Sequence, residues 1–178
     1  MHNSDWQQGW WQLARRLDSP NFGPRPAGEA ASLVVLHNIS LPPFEYGNGA
    51  VEKLFTNQIN PAEHPFFSIL TELRVSSHFL ITREGEAVQF VSCNDMAYHA
   101  GVSAFRGREK CNAFSIGIEL EGSGLEPFSD LQSPCLDKLL RARMGQYPIS
   151  AGCVQQAIAP GRQSDAGHFC SWAGLAAA

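Results

Sequence analysis

The chain has 178 residues, 44% hydrophobic and 17% charged, a balance that suits one globular domain with a sizeable core and excludes a disordered chain. Its formal net charge is -4, and its 13 Lys and Arg nowhere gather into a long basic run, which excludes the electrostatic footprint of a nucleic-acid-binding protein. No apolar run approaches the roughly 18 residues of a membrane span, and the start, M-H-N-S-D-W-Q-Q-G-W-W-Q-L-A-R-R-L, lacks the apolar stretch of a signal peptide.

In chain order, Trp6, Trp10, Leu13 and Leu17 fall at helical spacing, so Trp6 to Leu17 is expected to form a packing helix. The next stretch, S-P-N-F-G-P-R-P-A-G, holds three prolines and two glycines in ten residues and reads as loop. Ser32 to Ser40, S-L-V-V-L-H-N-I-S, reads as a buried strand, four aliphatics in a row followed by His37 and Asn38. After the Pro- and Gly-rich L-P-P-F-E-Y-G-N-G, a helix is expected across Val51 to Gln58. His78 to Thr82 and Ala87 to Val91 flank R-E-G-E and read as two strands joined by a tight turn.

Phe114 to Glu121, F-S-I-G-I-E-L-E, alternates apolar with small or acidic residues, as a strand with one lined face would. Ser133 and Pro134 suit the cap and first position of a helix that carries Leu136, Leu139, Leu140 and Met144 on one stripe. From Gly145 onwards no element longer than a turn or two is expected. Strands and helices mix without strict alternation, which implies an α/β fold with a central mixed sheet flanked by helices, one domain over 1–178. The five cysteines, Cys93, Cys111, Cys135, Cys153 and Cys170, are odd in number and form no Cys-x-x-Cys pair, so free thiols in a reducing cytoplasm are expected.

Three residues stand out as chemistry carriers. His37 ends an apolar strand, where side chains commonly project into a site, although a histidine there is more often a hydrogen-bonded core residue than a ligand. The same holds for His64, His78 and His99, and His2 lies at a chain end. Glu119, bracketed by Ile118 and Leu120, could have the raised pKa of a general base. It shares a strand face with Glu121, and two glutamates on one face are more often solvated. Asp165 sits in the loop Pro160-Gly161-Arg162 to Gly167, where carboxylates mostly cap or meet solvent.

The order of these segments is more specific than any one of them. V-L-H-N-I-S-L-P-P, L-R-V-S-S-H-F-L-I, A-Y-H-A-G-V-S, G-R-E-K-C-N-A-F-S-I-G-I-E-L-E-G and I-A-P-G-R-x-x-D together resemble the cytoplasmic 1,6-anhydro-N-acetylmuramyl-L-alanine amidases of peptidoglycan recycling, part of the wider zinc amidases that include the peptidoglycan-recognition proteins. The likeness is strong over 6–122 and weak over 131–178.

That resemblance implies an amidase fold and hydrolysis of the amide between the lactyl group of muramic acid and L-alanine. It implies a zinc ion held by His37, a second histidine and Asp165, with an open position for water, and Glu119 as the base that takes that water's proton. It implies an anhydro-muropeptide partner in a groove lined by Asn38, Arg74, Tyr98, His99 and Lys110, with Arg74 and Lys110 pairing with stem-peptide carboxylates. Where the family has its second ligand histidine, this chain has Gln155, or Gly152 and Cys153 if an insertion is allowed, and Gln163 replaces the lysine that steadies the oxyanion. Cys153 is the expected substitute ligand, with His168 the alternative, since a thiolate binds zinc well and a neutral amide poorly. Two functions follow from these departures: a working zinc amidase, or a muropeptide-binding module that has lost its metal.

Overall fold

The computed structural model of the protein describes residues 5–144 and 146–159. Its frame is a six-stranded mixed sheet built from β3 (Arg15–Arg16), β5 (Leu33–Ile39), β6 (Phe79–Ile81), β7 (Ala87–Gln89), β11 (Ser115–Glu121) and β12 (Ala151–Val154), in the order β12-β5-β11-β6-β7-β3. The four strands from β12 to β6 run parallel, β7 turns back antiparallel to β6, and β3 lies parallel to β7. Three two-stranded ribbons surround it: β1 (Trp6–Gln7) with β2 (Trp10–Trp11), β4 (Phe22–Pro24) with β8 (Asp95–Ala97), and β9 (Ala104–Phe105) with β10 (Arg108–Glu109).

Helices cover the sheet, as a parallel sheet requires. The stripe Leu136, Leu139 and Leu140 of α2 (Gln132–Met144) packs in one cluster with Val34, Leu36, Ile116, Ile118 and Phe79. The helix α1 (Ala50–Phe55) buries Val51, Leu54 and Phe55 in a second cluster with Leu80, Val88 and Phe90. A third cluster joins Leu33 and Val35 to Phe114, Cys111, Cys153 and Ile158, the last from the short helix α3 (Gln155–Ile158). Residues 33, 35 and 37 therefore share one face of β5, and residues 34 and 36 the other.

Several expectations from the sequence change here. Trp6 to Leu17 is a hairpin and a short strand, with no helix. Gln8 and Gly9 both have positive φ, 50° and 83°, the pairing of a tight two-residue hairpin turn, and Trp6 stacks across the ribbon on its partner Trp11. The turn bends the chain before a helix can propagate. The helix α2 begins at Gln132, one residue before Ser133, and its entry resembles a capping box: Gln132 Oε1 accepts from Ser129 N at 2.9 Å. Beyond Gly145 there is a fourth parallel strand, β12, as well as α3.

The strand β11 is buried on both faces along its whole length. Glu121, expected to meet solvent, is 5% exposed because its carboxylate accepts from Gly47 N at 2.7 Å and Arg83 N at 3.1 Å. A carboxylate so bonded exchanges water for backbone donors with no unmade bond.

Candidate active site

The C-terminal ends of three adjacent parallel strands build the site. His37 of β5 and Glu119 of β11 are direct Cα partners. The pairing of β12 with β5 runs to Val154 opposite Leu36, so the next residue, Gln155, emerges at the level of His37 on its other side. All three side chains are buried: His37 is 2% exposed, Glu119 7% and Gln155 1%. The carboxyl ends of parallel strands are where open α/β sheets place ligands.

The His37 ring has two different edges. Its Nδ1 faces Glu119, 3.9 Å from Oε1. Its Nε2 hydrogen-bonds His99 Nδ1 at 2.8 Å, and the other nitrogen of His99 reaches Ser115 Oγ at 3.0 Å. The two rings meet edge to face, with centroids 5.0 Å apart and planes at 89°. Burial pushes His37 down to about 3. Burial, then the neighbouring His37, His78 and Arg25, hold His99 well below the usual histidine range. Both imidazoles are therefore neutral near pH 7.

The surroundings explain why the rings stand where they do. A Cβ on Gly117 would lie 2.5 Å from the His99 ring, so only glycine lets the ring pack on β11. Asn112 Oδ1 accepts from the backbone of His99 at 3.1 Å and Ala100 at 2.8 Å, fixing that loop. Beneath it Arg25 donates to the carbonyls of Ser115 and Ala113, both at 2.9 Å. Ser115, Gly117 and Arg25 were not singled out from sequence. The small residues at 115 and 117, on the same strand face as Glu119, are the one local signal that something packs there.

His78 and His64 are structural. Nδ1 of His78 accepts from Gly117 N at 3.1 Å, and Nδ1 of His64 accepts from Phe66 N at 3.0 Å to cap a 3-10 turn over Pro65–Ile69.

The expected substrate residues fall at varied places. Asn38 is the next-to-last residue of β5, half-buried against Gly124, where a Cβ would come 2.3 Å from its Nδ2. Tyr98 is half-buried over Gly23. Arg74 is exposed and bonds the carbonyls of Thr71 and Leu73 in its own loop, and Lys110 is exposed at a left-handed φ of 60°. Both ring nitrogens of His99, expected as a structural or substrate contact, are engaged within the protein.

Cys153 does not stand beside His37. It pairs with Val35, two residues short of His37's level, within the apolar cluster of Leu33, Val35, Phe114 and Ile158. Burial and the nearby Cys111 push its thiol up to about 12, far from a ready thiolate. The residue that reaches the level of His37 is Gln155, whose buried Oε1 has no hydrogen-bond partner among the described residues. Asp165, Gln163 and His168 lie outside the described residues.

Donor chemistry decides how these residues suit a zinc ion. Among the described residues no group of three His, Cys, Asp or Glu side chains could hold a metal. Of the described candidates for the missing histidine, Gln155 offers an amide oxygen, a weak partner for zinc beside imidazole. Among the described residues the set around His37 therefore supplies no firm three-ligand zinc site.

Comparison with known proteins agrees with the geometry. Residues 27–168 match the family pattern Amidase_2, N-acetylmuramoyl-L-alanine amidase. The chain is 47% identical over 172 residues to the 1,6-anhydro-N-acetylmuramyl-L-alanine amidase AmpD of Escherichia coli K12, covering 94% of this chain and 92% of that protein. It is 44% identical over 174 residues to AmpD of Haemophilus influenzae, covering 94% and 93%. A crystal structure of a selenomethionine AmpD derivative superposes with a TM-score of 0.92 at 46% identity, over 96% of this chain and 97% of that one. The Escherichia coli amidase AmiD, solved in complex with its substrate anhydro-N-acetylmuramic acid-L-Ala-D-gamma-Glu-L-Lys, superposes at 0.60 with 27% identity, over 85% of this chain and 60% of that one. With its sheet, its paired His37 and Glu119, and these relatives in agreement, the chain belongs to the N-acetylmuramoyl-L-alanine amidase family.

Proposed function

We propose that the chain, acting as one domain in the cytoplasm, hydrolyses the amide between the lactyl group of muramic acid and L-alanine in 1,6-anhydro-muropeptides. The observation that carries this reading is the buried pair of His37 and Glu119, with Nδ1 3.9 Å from Oε1, at the carboxyl ends of neighbouring strands. The names of the AmpD relatives, and the muropeptide bound to AmiD, support the substrate class. The cytoplasmic placement rests on the likeness to the AmpD amidases. Among the described residues no helix is long and apolar enough to cross a membrane.

In this reading Glu119 accepts the proton of a water that attacks the amide carbonyl, and then delivers it to the departing amine of L-alanine. The products are the lactyl carboxylate and the free peptide amine. Burial among Ile118, Leu120 and the His37 ring keeps bulk water from competing for the carboxylate. Asn38 and Tyr98 border the substrate, and Arg74 and Lys110 pair with stem-peptide carboxylates. The family resemblance would make Gln163 a neutral donor to the oxyanion and Asp165 a metal ligand; both lie outside the described residues. In the family a zinc ion polarises the carbonyl and activates the water.

A second reading has an observation in its favour. Gln155, the next residue after Val154 pairs with Leu36, falls in the sequence where the family has its second ligand histidine, so a chain that binds muropeptide without cleaving it is the alternative. Metal analysis and an amidase assay on anhydro-muropeptide separate the two, using the wild type, Glu119→Gln and Gln155→His. Cleavage by the wild type that Glu119→Gln abolishes supports the enzyme. Binding without cleavage, converted to cleavage with about one zinc per chain by Gln155→His, supports the binding module.

A further inference from the structure

The loop that follows β5 carries two features that the pair of His37 and Glu119 does not explain. Phe44 is 60% exposed and sits at a left-handed φ of 69°, a backbone that a bulky side chain rarely adopts. Further on, Gly47 N is held by Glu121, a buried carboxylate on the same strand face as Glu119 and two residues beyond it. We infer that Phe44 is a specificity-determining contact for the muropeptide, and that Glu121 is the positioning residue that fixes its loop at the mouth of the site.

Ser40 lies three residues past His37, about 10 Å at the rise of a strand, and its Oγ accepts from Phe44 N at 3.0 Å. The chain then returns to Gly47, beside β11. Residues i and i+2 of a strand stand about 7 Å apart on one face, so the Gly47 backbone lies one side chain away from Glu119. Both ends of the loop meet the rim of the reacting centre, and Phe44 stands between them in the chain.

The anchor requires a carboxylate. Glu121 Oε1 accepts from Gly47 N at 2.7 Å and Oε2 from Arg83 N at 3.1 Å. An amide has one oxygen for these two donors. The Arg83 guanidinium lies over the Tyr46 ring, 4.6 Å from its centroid, and the Tyr46 hydroxyl bonds Glu126 in the loop after β11. Asn48 Nδ2 donates to the Leu41 carbonyl at 2.7 Å and closes the loop on itself. Strain such as that at Phe44 persists where the surroundings over-determine it, and it gathers at ligand sites. A ring fixed in advance offers apolar area at small entropic cost, suited to the C–H face of the sugar. This inference rests on the reading that His37 and Glu119 form the reacting centre and take a muropeptide.

The test sets stability against binding in the full chain, with anhydro-N-acetylmuramic acid-L-Ala-D-gamma-Glu-L-Lys as substrate. Glycine adopts this φ without strain, so Phe44→Gly should melt at or above the wild type. Its KM should nevertheless rise about 10-fold, the scale of partly burying one aromatic ring, with kcat within about 3-fold. Phe44→Ala should match that KM and melt below Phe44→Gly, and Phe44→Tyr should restore the wild-type KM. Glu121→Gln should raise KM by about 3- to 10-fold through one lost bond to a charged acceptor, and shift the Gly47 and Arg83 amide signals in NMR. An unchanged KM in Phe44→Gly overturns the contact. An unchanged KM in Glu121→Gln, with those signals moved, overturns the positioning role. If Glu121→Gln fails to fold, Tyr46→Phe decides, since it removes only the bond to Glu126: a KM raised about 2- to 5-fold supports the fixed loop, and an unchanged one overturns it. Where the wild type binds the muropeptide without cleaving it, Kd by calorimetry takes the place of KM. The same rises in Kd would then refute the amidase reading and leave this inference standing.

Discussion

Glu119 stands 3.9 Å from the Nδ1 of His37 although the two residues belong to different strands and lie far apart in sequence, because the parallel register of β11 and β5 makes them direct partners. Such a contact is set by backbone pairing, so an isosteric change at either end should leave the sheet intact. Glu119→Gln is therefore expected to fold as the wild type does, with near-unchanged circular dichroism and melting temperature. Muropeptide cleavage should fall by about 100-fold or more, the lower end of what a positioned base contributes. Retained cleavage within a few-fold of wild type would remove Glu119 from the chemistry.

The buried imidazoles predict an acid limb in stability. His37 titrates near 3 in the fold against 6.5 ordinarily, and His99 is displaced the same way. The unfolded chain thus binds protons first as pH falls. Stability from these rings is complete above about pH 6.5 and is lost below it, by about 1.4 kcal/mol per pH unit for each ring until the folded value is reached. Urea unfolding at pH 7.5, 6 and 5, with a chelator present, should show this decline, and His37→Gln should make it shallower. An identical slope in that variant would show that His37 is not the source.

Much of this architecture is legible in the sequence where one force acts alone. Four consecutive aliphatics identify β5, and the alternation of Ile116, Ile118 and Leu120 identifies β11, because burial dominates both. Trp6 to Leu17 misleads because large aromatics at helical spacing also suit a hairpin, and the deciding fact is the positive φ of Gln8. The strand β12, A-G-C-V, is too short and too small-sided to announce itself; its parallel pairing with β5 makes it a strand. The partners of His99 and Glu121 are remote in sequence, so no local pattern reports them.

Cys153 should behave as a core residue. With its thiol pushed up to about 12 by burial and Cys111, it holds almost no thiolate at pH 8. Iodoacetamide labelling of the native protein, read by peptide mass spectrometry, should leave Cys153 unmodified and label it only after denaturation. Cys153→Ala should lower stability by about 1–2 kcal/mol through lost packing and leave zinc content unchanged. Zinc content that collapses in this variant would restore the thiolate as a ligand.

Gln155 offers the sharpest contrast, because the same position answers to packing and to metal binding. Its Oε1 is buried without a hydrogen-bond partner among the described residues, an arrangement that costs about 1–3 kcal/mol. Gln155→Met keeps the length of the side chain and removes the stranded oxygen, so it should be neutral or raise stability by about 1 kcal/mol. Gln155→His introduces instead an imidazole at the level of His37. Zinc bound only by the folded state adds about 2.7 kcal/mol at a concentration 100 times its Kd. Thermal melts of the three proteins, with chelator and with zinc, separate the effects. Gln155→Met should melt at or above the wild type in both buffers, while Gln155→His should gain several degrees from zinc alone. A zinc-dependent gain in the wild type as large as in Gln155→His would show that the amide already serves as a ligand, and Gln155→Met would then lose that gain.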